Sequence, residues 1–178
     1  MKTTKLLIIL SIILFQTSLK AQNLFDKYED YDDVSSVIVT DEMFKLFKDI
    51  VPESDEAKEE MQVLSSLTGL KVFSTEDVAI SAEIAKDAND YITSKSMTEL
   101  VRINDNGTKV KFYIVKGKEA HFAKELIMVL VEKKDGKQNT VVMVVSGNID
   151  LRKLSKLNSK VKVIDGKYLK EVEAHEKQ

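Results

Sequence analysis

Few residues in this chain could act as the base for a nucleophile, because it holds two histidines and no cysteine. Covalent catalysis needs such a base held against the attacking group. His175 is close to the end of the sequence, where order is least expected. His121 stands between Ala120 and Phe122, in the loop that enters the longest strand, with Glu119 and Glu125 nearby in sequence. Ser65 or Ser66 could complete a Ser–His–acid triad, but neither sits in a Gly-x-Ser-x-Gly elbow. The histidines lack His-x-x-x-His spacing, and no thiolate is available as a metal ligand. His121 therefore reads as a surface loop residue.

Carboxylates come in pairs at Asp32-Asp33, Glu59-Glu60 and Glu76-Asp77. Each pair lies at a helix start or on a charged face, where it complements the helix dipole. Glycosidase chemistry would need two acids at a defined separation across a cleft, which abundance alone does not supply. The acids of residues 23–33 lack the glycine-containing calcium loop. The six glycines are isolated turn residues and form no phosphate loop. No catalytic, cofactor-binding or metal-ligating residue is named, and no cofactor is implied.

The elements that would position any site centre on Thr98–Asp150. Four strands follow one another there: Glu99–Ile103, Lys109–Lys116, Ala123–Glu132 and Thr140–Ser146. Asn104–Gly107 and Asp135-Gly136 are the turn signals of two hairpins, so the pairing is antiparallel. Lys109 and Lys111 alternate with Val110, Phe112 and Ile114, giving that strand one wet and one buried face. Leu126–Val131 does not alternate, which predicts that both of its faces are covered. Helices on both faces, the C-terminal segment or a partner surface could supply the second cover.

Before this block, Leu24, Phe25, Tyr28 and Tyr31 share one face of a short, solvated helix, and Val34–Val39 is a β-branched strand. Thr40 caps a short helix carrying Met43, Phe44, Leu46, Phe47 and Ile50. Ser54 caps a second over Asp55–Leu67, with Gly69 as its left-handed end. Leu70–Phe73 is a short strand, and Thr75 caps a long helix to about Lys95 with Ile80, Ile84, Ala88, Tyr91 and Ile92 in its buried stripe. The two early strands are expected to pair with the four-strand block. After it, Asp150 caps a helical turn through Asn158, Val161–Ile164 is a candidate last strand, and the tail from Lys167 reads as weak helix or frayed chain. This order predicts an α+β fold: a single mainly antiparallel sheet with a C-terminal four-strand meander and helices on at least one face.

The N-terminus reads as a secretory signal. Lys2 and Lys5 precede an apolar run from Leu6 to Phe15, and Ala21 marks the expected cut. The run is too short for a membrane span, which takes about 20 apolar residues. No cysteine stands at the cut, so no lipid anchor is expected. Residues 1–21 form the signal peptide and 22–178 a single domain, with about 160–178 as a frayed tail. Removing the signal takes away three lysines and no acid, so 24 basic residues stand against 29 acidic ones and the net charge moves from −2 to −5. That balance argues against nucleic-acid binding. The expected location is the periplasm or the medium, with no integral membrane span.

Several short motifs carry a resemblance. Phe25-Asp26-Lys27-Tyr28, Val34-Ser35-Ser36-Val37 leading to Met43-Phe44-Lys45-Leu46, Lys124-Glu125-Leu126 and Ser146-Gly147-Asn148-Ile149-Asp150-Leu151 resemble the domain-of-unknown-function family 4252 over roughly Leu24–Leu157. The resemblance implies an exported, envelope-associated protein of a Gram-negative bacterium, chiefly in the Bacteroidetes, where members often follow a signal peptide or a lipoprotein signal. This chain lacks the lipoprotein cysteine. The family supplies no activity, ligand or catalytic residue to carry over.

The functional expectation is a non-catalytic binding or protein-interaction module, partnered by another protein or by a second copy through an apolar sheet face. The alternatives are an envelope hydrolase using His121 and carboxylates, or a cell-envelope stress or signalling component. A hydrolase would require His121 to meet an acid or a serine in a cleft.

Overall fold

A computed structural model describes residues 24–134 and 137–153. It shows the α+β architecture: one six-stranded, wholly antiparallel sheet with helices against both faces. The strands are β1 (Ser35–Val39), β2 (Leu67–Thr75), β3 (Thr98–Asp105), β4 (Thr108–Lys116), β5 (Phe122–Lys134) and β6 (Lys137–Asp150). Their order is β1-β2-β6-β5-β4-β3. The helices are α1 (Asp41–Leu46), running into a 3-10 turn at Phe47–Asp49, α2 (Asp55–Leu64) and α3 (Val78–Ser94). A 3-10 turn at Asp26–Asp30 precedes them all.

The meander forms as its alternation and turn chemistry dictate. Asn106 and Gly107 both adopt positive φ between β3 and β4, the twist a two-residue hairpin needs. Val110, Phe112 and Ile114 are buried on one side of β4, while Lys109, Lys111 and Tyr113 emerge on the other.

The unalternating strand is covered on both faces over Leu126–Met128, as its composition predicts, while Val129–Val131 are half-buried. Leu126 and Met128 join Phe44, Leu67, Phe112, Val145 and Ile149 in one core, against which Phe47 and Leu64 pack. Ile127 joins Phe25, Tyr28, Phe73, Ile84, Ala88 and Tyr91 in the other, under α3. The chain's own helices thus reach both sides of the central strands.

Several sequence expectations are corrected. The early strands do not both join the meander: β2 pairs with β6, and β1 pairs with β2 at the sheet's edge. The second helix stops at Leu64, not Leu67, because the Ser65 and Ser66 hydroxyls donate back to the carbonyls of Gln62 and Val63 while Leu67 enters the ladder opposite Gly147. Gly69 is consequently a strand residue. The long helix is capped by Asp77, whose carboxylate accepts from the Ile80 amide at 2.8 Å. Thr75 instead donates to the Asp33 carbonyl and ties the two chain segments together. The first segment is a 3-10 turn, and it is not merely solvated, since Phe25 and Tyr28 are buried in the core.

The expected strand end at Ser146 is also corrected: β6 runs through Asp150, with an irregular step at Gly147. The Gly147 backbone has φ +146°, and a Cβ there would lie 2.4 Å from the Ser66 carbonyl oxygen. The same carbonyl accepts from the Asn148 amide at 2.8 Å. Asp150 does act as a cap for the turn beginning at Leu151, since its carboxylate accepts from the Arg152 amide at 3.1 Å. The expected signal segment 1–21, Asp135-Gly136, the part of the expected helical turn beyond Lys153, the candidate strand Val161–Ile164 and the expected tail lie outside the described residues.

Candidate functional site

His121 does not assemble a catalytic group among the described residues. It sits in the β4–β5 loop with its ring 4.6 Å from that of Phe122. Its Nε2 is 3.6 Å from a carboxylate oxygen of Glu119, whose side chain is largely exposed. The hydroxyls of Ser65 and Ser66 are directed to carbonyls of their own helix. The structure therefore brings an acid near His121 but, among the described residues, no hydroxyl hydrogen-bonded to it. His175 lies outside the described residues.

The convergence of polar groups is elsewhere, under the C-terminal end of α3. The β5–β6 ladder steps out of register between Ala123 and Glu125. Ala123 is buried with Leu126 on one face, whereas Glu125 turns to the α3 side, the re-aiming that a pairing irregularity permits. Glu125 stands opposite Ser146, and Ser146 opposite Gly69, so three strands contribute one row. A cavity of about 300 Å³ lies over this row, bounded by Phe25, Tyr91 and Lys95 and flanked by Asp26, Lys71 and Thr40. Gly69 leaves its floor open: a Cβ there would meet only the Ser146 Cβ, at 3.9 Å.

The cavity's charges come in two pairs. Lys95 Nζ donates to Glu125 Oε2 and to the Tyr91 hydroxyl, each at 2.7 Å. Lys71 donates to Asp26. Burial, reinforced by the Glu125 carboxylate, pushes the Tyr91 phenol well above its ordinary range, so the hydroxyl keeps its proton. One atom is left over. Glu125 Oε1 is fully buried and accepts no hydrogen bond from the described residues. Leaving a buried acceptor unsatisfied costs roughly 1–3 kcal/mol, more for a charged group.

A second buried network ties the N-terminal turn to α3. The Tyr28 hydroxyl donates to Asp87 Oδ2 at 2.7 Å, and Lys27 Nζ bridges Asp87 and Glu83. Burial would raise the Asp87 pKa, but the Lys27 ammonium and the Tyr28 hydroxyl outweigh it and hold the carboxyl below its usual value. Both donors converge on Asp87 Oδ2 and join the N-terminal turn to α3, so this cluster reads as structural.

Sequence reading placed Tyr91 in a buried stripe, Lys95 at a helix end and Glu125 beside His121. It did not bring the three together. The available signal was an acid directly before an apolar run, two residues ahead of Ile127, at a position that must point under a helix.

A family model described as "Domain of unknown function (DUF4252)" matches residues 28–157. No curated protein and no solved structure matches the chain. The matched segment contains the six described strands and helices α1–α3, including Tyr91, Lys95, Glu125 and the Gly147 step. The chain belongs to the DUF4252 family.

Proposed function

We propose that this protein is an exported envelope component that works as a non-catalytic binding module, with its ligand seated over Glu125. The observation that carries the reading is Glu125 Oε1, a buried acceptor at the edge of a cavity, with no donor among the described residues. Such an atom is best satisfied by an incoming N–H or O–H group. Two ammonium groups and two carboxylates already balance in the cavity wall, so a neutral donor fits better than a cation. The hydroxyls of Thr40, Thr68 and Ser146 can exchange further hydrogen bonds with it, and Phe25 and Val144 offer an apolar contact. The Tyr91 hydroxyl is held protonated and Lys95 is engaged by two acceptors, an arrangement suited to holding a ligand. The reading of residues 1–21 as a secretory signal supports export.

The test uses three probes of similar size: N-methylacetamide, acetate and methylammonium. Amide shifts in a ¹⁵N spectrum should respond to N-methylacetamide at Gly69, Glu125 and Ser146, and Glu125→Gln should weaken the response. Preference for either ion, or shifts indifferent to that substitution, would overturn the reading. Export is checked by sequencing the N-terminus of protein recovered from the periplasm, which should begin at Gln22.

A further inference from the structure

A second concavity lies on the α3 side of the sheet, beyond the helix, and among the described residues its charged border is of cations alone, where the Glu125 cavity is charge-balanced. Strand β4 alternates strictly there. Its inner side chains are apolar and buried, and its α3-side residues include Lys109 and Lys111. Lys133 of β5 joins them. The trough between this lysine row and α3 holds about 330 Å³, and no carboxylate lines it among the described residues. Its apolar surface comes from Val129 and Val131 of β5 and Ile92 of α3, together with the small residues Ala85 and Ala88.

A wet sheet face would account for the lysines alone, since polar residues belong there. It does not account for two valines under a helix edge of small side chains, half-buried and bordered on one side by three ammonium groups. None of the three ammoniums has a carboxylate within ion-pair distance among the described residues, whereas Lys27, Lys71, Lys86 and Lys95 on the same side all do. Glu99 of β3, whose charge Lys111 feels at longer range, is engaged by Arg102. In a chain of net charge −2, this is a local concentration of positive charge. An apolar trough with such a border is complementary to a molecule with an anionic head and an apolar tail.

We propose that this trough binds a free single-chain amphiphile with an anionic head, its tail along Val129, Val131 and Ile92 and its head among Lys109, Lys111 and Lys133. The site is independent of the Glu125 cavity and does not rest on it. Long lysine side chains suit the role, because their methylene stems extend the apolar wall while the ammonium groups reach the head.

The test is titration of the protein with dodecanoate below its micellar concentration, followed by calorimetry and by ¹⁵N amide shifts. Saturable binding is expected, with shifts at Lys109–Tyr113 and Val129–Lys133. The Lys109→Glu/Lys111→Glu/Lys133→Glu variant should bind at least about tenfold more weakly, as expected when attractive head-group contacts become repulsive. Ala85→Phe, which fills the trough from a partly exposed position, should also weaken binding. Circular dichroism and the thermal midpoint establish that each variant is folded. Equal affinity for dodecyltrimethylammonium would overturn the proposal, because it would show binding without charge selection. So would acetate binding as tightly as dodecanoate, unchanged affinity in the lysine variant, binding seen only with phosphatidylglycerol vesicles, or shifts confined to Gly69 and Ser146.

Discussion

Lys95 Nζ donates to one carboxylate oxygen of Glu125, at 2.7 Å, while the other oxygen is buried with no donor among the described residues. The ammonium also holds the Tyr91 hydroxyl and lies 4.5 Å from the Tyr91 ring centroid, so one cation organises three groups. Replacing it with an apolar residue of similar length strands a carboxylate that is nine-tenths buried. Lys95→Met should therefore destabilise the protein by roughly 1–3 kcal/mol, the lower end reflecting the quarter of the lysine side chain that remains exposed. In Lys95→Met/Glu125→Gln the stranded charge is gone, and the double variant should lose less than the two single losses combined, by about 0.5 kcal/mol or more. Urea unfolding of the four proteins measures the coupling, and strict additivity would show that the pair contributes nothing.

Acid sensitivity should trace to carboxylates held below their ordinary pKa. Asp87 is one, through Lys27 and Tyr28. Asp150 is another: the Arg152 side chain and amide bring it to about 2. A depressed folded-state pKa means that the unfolded chain binds more protons in the window between the two values, so stability rises with pH there. The stabilisation is complete above the unfolded carboxyl value near 4 and is lost as pH falls toward 2. Asp87→Asn should be less stable than the natural protein at neutral pH and should show a shallower decline on acidification. Denaturation midpoints across the acid range give both quantities, and parallel curves would remove Asp87 from the account.

The parts of this fold that were legible in the sequence are those decided by local chemistry. Lys109 to Ile114 show a two-residue period, and Asn106-Gly107 has the turn chemistry of a hairpin, so β3 and β4 could be read directly. Leu126–Val131 announced two covered faces. The neighbours of β2 could not be read in the same way, because its pairing with β1 and β6 joins segments far apart in the chain. Either partner offers apolar, β-branched residues, and register decides between them. The candidate site was hidden for a related reason. Gly69, Ser146 and Glu125 share a row only after the sheet has formed, and the ladder irregularity beside Glu125 is what turns it toward α3. Thr75 and Asp77 illustrate a finer ambiguity, since both are good cap residues and the tie from Thr75 to Asp33 leaves the cap to Asp77.

The two covered faces can be tested with neighbouring residues. Leu126 and Ile127 point to opposite sides of β5, into separate cores, and both are almost wholly buried. Truncating a well-packed aliphatic side chain to alanine costs about 2–5 kcal/mol, from lost transfer energy and the cavity left behind. Leu126→Ala and Ile127→Ala should both fall in that range. A sheet with one wet face would tolerate one of them, so a loss below about 1 kcal/mol for either would mean that its face is poorly covered.

Two glycines on facing strands should behave in opposite ways when given a methyl group. Gly147 of β6 combines φ +146° with a Cβ position only 2.4 Å from the Ser66 carbonyl oxygen and 2.6 Å from the Leu67 Cα. Both obstacles are main chain, at the corner where α2 gives way to β2, and neither can move aside without disturbing the Asn148–Ser66 hydrogen bond. Gly147→Ala should cost about 2 kcal/mol or more, combining a disfavoured backbone region with displacement of that corner. Gly69 of β2 lacks both problems, and its added methyl would enter the open floor of the Glu125 cavity. Gly69→Ala should change stability by less than about 1 kcal/mol, with the stiffer unfolded chain offsetting any loss. Thermal and urea unfolding compare the two directly. Equal tolerance at both positions would show that the α2–β2 corner yields easily and that the Ser146-Gly147-Asn148 motif is not held by steric necessity.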